Sequence, residues 1–239
     1  MHWWLPIEAS SYASDIDGIF YAILVITGVI FVVVEAALVY FIVRYRNRDG
    51  RKAEYIHGST RAEVIWTLVP ALIVVGLAFV SKGVWDEVKG RDATPAGAIP
   101  LAVEAKQFEW HVTYPGPDGK LGTDDDFTRR NLLHVPVGEP VSITLTSQDV
   151  IHSFFVPAFR IKQDAVPGMH THVWFTATRA GDYELACAEL CGLGHFRMRA
   201  QVVAEPPDAF EGWMQQQSAG ATTATAAAGG ASATTQSGE

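Results

Sequence analysis

Residues 18–43 read GIFYAILVITGVIFVVVEAALVYFIV, and this run decides the architecture. It holds one charge in 26 residues, Glu35. At about 1.5 Å per residue, a helix of that length covers roughly 39 Å, enough to cross a ~30 Å hydrocarbon core with some tilt. A second run, WTLVPALIVVGLAFV over 66–80, is extended upstream by Val64 and Ile65 and reaches spanning length with its flanks. Backbone polar groups in lipid must be satisfied within their own segment. The two runs are therefore expected to form a two-helix transmembrane hairpin within residues 18–90, not buried helices of a soluble core.

The stretch between them, RYRNRDGRKAEYIHGSTR over 44–61, gathers Arg44, Arg46, Arg48, Arg51, Lys52 and Arg61. Positive charge stays on the cytoplasmic side, so both termini are expected outside. Residues 1–17, MHWWLPIEASSYASDID, carry no Lys or Arg. That argues against a cleaved secretory signal and for an extracytoplasmic N-terminal segment. Trp3 and Trp4 suit the membrane–water boundary. The net charge of -8 falls mostly on the outer part, because the basic loop faces inward. An acidic outer surface steers basic partners toward it, and no nucleic-acid partner is expected.

Residues 82–99 form a polar connector. From 100 to 205 the pattern changes to short alternating runs: PLAVEAK, EWHVTY, PVSITLTS, HTHVWFTAT, DYELA and MRAQVVA. They are rich in Val, Thr and aromatics and separated by Gly, Pro and Asp, as in strands. About a hundred residues of this kind predict an antiparallel sandwich or barrel. A short C-terminal segment, 206–215, precedes the Ala/Thr-rich stretch 216–239, whose composition cannot offset the entropy of ordering and predicts a disordered tail.

Both cysteines lie in CAELCGLGHFRM, residues 187–198. A disulfide across so short a loop stabilises little and leaves the neighbouring His195 and Met198 unexplained. Zinc accepts Cys and His, but Met is not among its usual ligands. Thiolate, imidazole and thioether together point to copper. A mononuclear blue-copper site needs two His, one Cys and a weak axial Met. Cys191, His195 and Met198 supply three of these, and His152 in SQDVIHSFFVP supplies the second imidazole. Cys187 is then one thiolate more than a single copper needs. Two thiolates four residues apart can bridge a pair of coppers.

The loop resembles the dinuclear CuA loop of cytochrome c oxidase subunit II, C-x-E-x-C-x3-H-x2-M. The likeness extends to VIHSFFVPAFRIKQDAVPG and to the two-helix anchor with EVIWTLVPA, and so covers about residues 15–215. It implies a membrane-anchored all-β protein, the helical hairpin followed by a cupredoxin-like Greek-key β-barrel over 100–205. It implies that Cys187 and Cys191 bridge two copper ions. His152 and Met198 would complete one, and His195 and the Glu189 backbone carbonyl the other. The Glu189 side chain would share a Mg2+ ion with the haem-bearing subunit I. Glu63 would mark the mouth of a proton path. The chain would be the electron-input subunit of a bacterial-type cytochrome c oxidase, in the inner (plasma) membrane with its copper domain on the periplasmic side. It would act with subunit I and further oxidase subunits, taking electrons from a cytochrome c or a membrane-attached cytochrome and passing them to haem, where oxygen is reduced and protons are pumped. No catalytic residue is expected on this chain, and no covalent haem, since no C-x2-C-H follows. The alternative is a membrane-anchored mononuclear blue-copper electron carrier.

Several residues stand outside this pattern. Where the family carries Q-W-x-W, this chain reads Q-F-E-W over 107–110, so Phe108 and Trp110 take the electron-input positions and Phe108 lacks an indole N–H. The loop 115–127, PGPDGKLGTDDDF, clusters Asp118, Asp124, Asp125 and Asp126 without EF-hand spacing, and is expected to be a solvated acidic loop. His170 and His172 read as surface imidazoles, and Asp164 as an interface residue. Glu35 receives no role from the sequence.

Overall fold

The structure is a computed structural model that describes residues 5–50, 52, 55–90 and 92–232. Trp3, Trp4, Arg51 and the tail residues 233–239 lie outside the described residues. The chain divides into two units, residues 15–87 and residues 1–14 with 88–239.

The smaller unit is built on α1 (Ala13–Tyr45) and α2 (Thr60–Lys89). Both are long and apolar enough to cross a membrane, and their most apolar windows bury nothing inside the protein. That is the pattern of helices whose side chains face lipid or other membrane proteins. In α1, Thr27 donates its hydroxyl back to the Ile23 carbonyl at 2.8 Å. Ser59 caps α2: its Oγ lies 3.4 Å from the Ala62 amide, and its carbonyl accepts the Glu63 N–H at 3.0 Å. Pro70 interrupts the ladder of α2 once, since it has no N–H to donate.

Among the described residues the larger unit contains ten strands: β1 (Ile99–Lys106), β2 (Glu109–Tyr114), β3 (Phe127–Arg130), β4 (Leu132–Pro136), β5 (Pro140–Ser147), β6 (His152–Val156), β7 (Ile161–Ala165), β8 (Thr171–Thr176), β9 (Gly181–Cys187) and β10 (Arg199–Glu205). They form two five-stranded sheets, ordered β3-β2-β1-β5-β8 and β4-β10-β9-β6-β7. The sheets are not wholly antiparallel as the sequence pattern predicts. β1 runs parallel to β5, and β4 parallel to β10. Two-residue hairpins can join only antiparallel neighbours, so these parallel pairs require long crossings between the sheets. Alternation sets the core: Leu101, Val103, Val141, Ile143 and Leu145 from one sheet meet Leu133, Val135, Phe154, Leu185 and Val202 from the other.

The N-terminal segment belongs to this unit. The Ala9 N–H donates to the Ala158 carbonyl at 2.9 Å, Ser10 Oγ to the Phe159 carbonyl at 2.7 Å, and Tyr12 OH to the Trp174 carbonyl at 2.8 Å. Residues 9–12 therefore pack directly against the β sheets.

The C-terminal part departs from the sequence expectation. α3 runs Pro207–Ser232, so the short segment and the start of the Ala/Thr-rich stretch form a helix and not an unordered tail. Alanine is the best helix former, and the helix has an anchor. Trp213 stacks on His134 with centroids 4.1 Å apart and planes 6° from parallel. Arg129 Nε donates to Gln217 Oε1 at 2.7 Å, one turn further on.

Candidate metal centre

His152 is the first residue of β6 and is fully buried. Its Nε2 meets Asp149 Oδ1 at 2.9 Å, and its Nδ1 points to Cys187 Sγ at 3.8 Å. Asp149 is held in turn by the Gln107 N–H at 2.7 Å and by the Val150 N–H at 2.6 Å. The imidazole is thus fixed in one orientation, with one nitrogen left to face the sulfurs.

Cys187 ends β9 opposite Phe154 of β6. Its N–H donates to the Met198 carbonyl at 3.0 Å, and the next amide, Ala188, donates to the Ser153 carbonyl at 3.0 Å. The loop then returns through a single 3-10 turn, His195–Arg197, into β10. The His195 N–H bonds the Gly192 carbonyl and the Met198 N–H bonds the His195 carbonyl, at 3.0 and 3.1 Å. Six donors converge as a result. The two Sγ atoms are 3.8 Å apart, Cys191 Sγ is 3.6 Å from His195 Nδ1 and 3.7 Å from Met198 Sδ, and Cys187 Sγ is 3.2 Å from the Glu189 carbonyl. Both thiols are free and buried, and Met198 is fully buried.

These separations fit a shared metal. Metal–sulfur bonds of ~2.3 Å and metal–imidazole bonds of ~2.0 Å, at near-tetrahedral angles, place two sulfurs roughly 3.8 Å apart and sulfur and nitrogen roughly 3.6 Å apart. The ligand atoms of His152, Cys187 and Cys191 all lie within 4.8 Å of one another. The electrostatics of the thiols agree. Burial raises the Cys187 pKa, but its bonds to His152 and to the backbone at Glu189 and Ser153 outweigh that and bring it down to about 6. Burial and the neighbouring Cys187 push Cys191 up to about 12. Two thiolates this close repel each other unless a cation lies between them.

Phe108 and Trp110 part company. Alternation along β2 turns Trp110 inward, where it is fully buried, edge-on to His152 at 6.1 Å and to Phe154 at 5.8 Å. Only Phe108, in the two-residue turn before β2, reaches the surface. Its ring lies against the metal loop: a Cβ added to Gly194 would fall 2.4 Å from Phe108 Cδ2. Gln107 Nε2 donates to the Cys191 carbonyl, and a Cβ on Gly192, at φ +130, would fall 2.6 Å from that nitrogen. The two glycines let the 107–108 turn seat directly on the loop. Sequence reading missed this clamp and Asp149. The D-x2-H spacing of Asp149 and His152 was the available signal.

The remaining candidates lie elsewhere. The Glu189 side chain is exposed while its carbonyl faces Cys187. Glu63 occupies the first turn of α2. The Asp118–Asp126 loop uses its carboxylates on itself, accepting from the backbone N–H groups of Asp118, Lys120 and Gly122 and from the Thr123 hydroxyl. His172 Nε2 lies 3.1 Å from Thr94 Oγ1 and 3.3 Å from Ser142 Oγ, and His170 is exposed. Asp164 lies on β7, within 3.7 Å of Lys162 Nζ.

Residues 103–205 match the family described as cytochrome c oxidase subunit II, periplasmic domain, and residues 1–84 match its transmembrane domain. The chain belongs to the cytochrome c oxidase subunit II family. It is 34% identical over 240 residues to an alternative cytochrome c oxidase subunit 2 of Bradyrhizobium diazoefficiens, covering 90% of this chain and 84% of that one. It is 34% identical over 267 residues to the cytochrome c oxidase subunit 2 of Thermostichus vulcanus, covering 90% and 79%. Among solved structures, the periplasmic domain of subunit II of cytochrome oxidase from Bradyrhizobium japonicum is similar at 28% identity and TM-score 0.44, over 52% of this chain and 96% of that one. As a subunit II, the chain is a membrane-anchored, electron-input component of an oxidoreductase complex, with a cupredoxin-like domain. Membership of the family points to copper binding, and His152, Cys187 and Cys191 form a group that can hold a metal ion.

Proposed function

We propose that His152, Cys187, the Glu189 carbonyl, Cys191, His195 and Met198 hold a dinuclear copper centre of the CuA type. The observation that carries this is the pair of buried, unbridged thiols 3.8 Å apart, with an imidazole on either side. A single copper would need one thiolate and leave Cys187 without a task. When bound, such a bridged pair takes up and releases one electron shared over both metals, with little movement of the nuclei.

This chain's residues provide the rest. Cys187 and Cys191 supply the bridging sulfurs, His152 and Met198 complete one position, and His195 and the Glu189 carbonyl complete the other. Asp149 orients His152, and Gln107 orients the Cys191 carbonyl, so the ligands are held in place before and after transfer. Burial of His152, Cys187, Cys191 and Met198 excludes water and leaves no open position for a substrate. Phe108, half-buried against Gly192 and Gly194 of the loop, stands where a cytochrome c or membrane-attached cytochrome donor would approach. Trp110 serves behind it as packing against His152.

The same reading places the exposed Glu189 carboxylate toward the haem-bearing subunit I, where it shares a Mg2+ ion, and places Glu63 at the mouth of a proton path. The β unit and N-terminal segment lie on the periplasmic side of a bacterial inner membrane, opposite the basic loop between α1 and α2. The test is metal content and electron paramagnetic resonance of the purified oxidase. Two coppers on this subunit and hyperfine structure from one electron shared over two nuclei are expected. One copper with a single-nucleus pattern would establish the blue-copper alternative. Replacement of Cys187 by serine should abolish the shared signal.

A further inference from the structure

The 107–108 turn and the 195–197 turn meet at the surface of the metal site. Arg197 is exposed, and its guanidinium carbon lies 6.0 Å from the centre of the Phe108 ring. That cation–π contact holds the charge over the ring. Leu193, between the two glycines that abut Phe108, is 97% exposed, and Phe196 is 76% exposed. One cation thus stands among three apolar side chains, beside His195, a half-buried member of the proposed ligand set.

The charges around it are engaged with each other. Glu109 accepts from Lys106, His111 and Arg130. Asp149 accepts from the Gln107 and Val150 N–H groups and faces His152 Nε2. Arg199 meets Glu184 Oε1 at 2.8 Å. Among the described residues, no carboxylate pairs with Arg197.

The charge pattern of the sequence favours basic partners, but the structure puts the densest acidity away from the input ring. The loop with Asp118, Asp124, Asp125 and Asp126 follows β2, at the opposite end of that strand from Phe108. The six residues of β2, at about 3.4 Å each, separate the two by roughly 17 Å along the strand. The Debye length is about 8 Å at physiological ionic strength, so that loop is largely screened at the ring. Arg197 is not. A partner that closes over Phe108 covers an unpaired cation, which is costly unless the partner brings an opposite charge. A lysine there is repelled, whereas a carboxylate matches the planar guanidinium fork.

We infer that Arg197 is a specificity-determining residue for the electron donor, selecting a redox protein that presents an Asp or Glu carboxylate beside its exposed cofactor edge. The inference deepens the proposed input role of Phe108 and rests on it; it does not depend on the number of coppers.

The test uses the assembled oxidase, with the copper signal recorded in parallel. Association is read by surface plasmon resonance, so no electron transfer is required. The probes are a c-type cytochrome with a lysine-rich haem rim and its variant with those lysines replaced by glutamate. At low ionic strength the unaltered oxidase should bind the glutamate-rim probe several-fold faster than the lysine-rim probe, and the gap should close at high salt. Arg197→Glu should slow the first several-fold and speed the second, whereas Arg197→Lys should keep the original order. Arg179→Glu, at the far end of β9 from Cys187, should change neither rate. Faster binding of the lysine-rim probe by the unaltered oxidase would overturn the inference. So would Arg197→Glu rates no different from those of Arg179→Glu, or an Arg197→Gln variant that loses stability with its salt dependence intact, which would make Arg197 a packing residue. The expected order together with a single-copper spectrum would support the inference and overturn only the dinuclear reading.

Discussion

Asp149 grips His152 on the side away from the sulfurs, with Oδ1 2.9 Å from Nε2, while His152 Nδ1 faces Cys187 Sγ at 3.8 Å. The carboxylate fixes which nitrogen is free to bind metal. Partners of this kind are worth roughly 10–100-fold in metal affinity. Asp149→Ala should therefore weaken copper binding by about that factor, measured by titration against a competing chelator. Asp149→Asn, whose amide oxygen can still accept the Nε2 proton, should lose less. Equal affinity in Asp149→Ala and the unaltered protein would show that packing alone orients the ring.

How far the sequence revealed this centre depends on the type of signal each residue carries. The proposed ligands stand out in the sequence because copper favours particular residue types, and Cys187, Cys191, His195 and Met198 sit in one loop. The spanning helices were legible from length and apolarity alone. The strands FTRR, LLHVP, HSFFV and IKQDA were not read as strands. They are four or five residues long, and in HSFFV four of five side chains are buried, which hides the alternation. The parallel pairing of β1 with β5 was invisible, because register and partner are set by tertiary packing. The inward aim of Trp110 followed from the β2 alternation, yet its place behind Phe108 required the fold. The helical C-terminus was missed because low complexity was read as disorder, although Trp213 and Gln217 supply contacts that a composition argument does not weigh.

Gly194 is where the Phe108 ring meets the metal loop, and a Cβ there would come within 2.4 Å of the ring. Gly194→Ala should force Phe108 aside at a cost of about 1–3 kcal/mol, as for other overpacked sites. Chemical denaturation should show this loss. Phe108→Leu in the same chain should restore part of it, since the smaller side chain vacates the contact. Additive losses in the double variant would mean that the two residues do not press on each other.

Glu109 gives the β unit an acid-sensitive contact. Its carboxylate accepts from His111 at 2.8 Å, from Lys106 at 3.0 Å and from Arg130 at 3.3 Å. The His111 and Lys106 bonds bring its pKa from 4.5 down to about 2. A carboxyl whose pKa falls on folding stabilises fully above its unfolded value and loses that contribution as pH drops through the folded one. The window here runs from about 4.5 down to about 2. The group is at the surface, so the effect is small and screened by salt. Glu109→Gln should flatten the loss of stability on acidification between pH 5 and 3 at low ionic strength, read from denaturation midpoints. An unchanged slope would show that the cluster contributes nothing measurable.

Trp213 anchors α3 to the sheet edge. Its ring stacks on His134 and meets Tyr114 and Phe127 edge-on, at 5.0 and 5.8 Å. His134 is itself held by Glu205 Oε1 at 2.7 Å and by the bond from its own N–H to Tyr114 Oη at 2.6 Å. Trp213→Ala leaves three aromatic faces without a partner and should cost about 2–4 kcal/mol, less than a fully buried Trp because this one is half-exposed. Hydrogen exchange should then show early opening of residues 207–220, while β1 and β5 stay protected. The copper spectrum should not change, because β4 stands three strands from β6 in the sheet. A spectral change on Trp213→Ala would mean that α3 supports the metal loop through the sheet, and the helix would then have to be counted among the elements that hold the copper ligands.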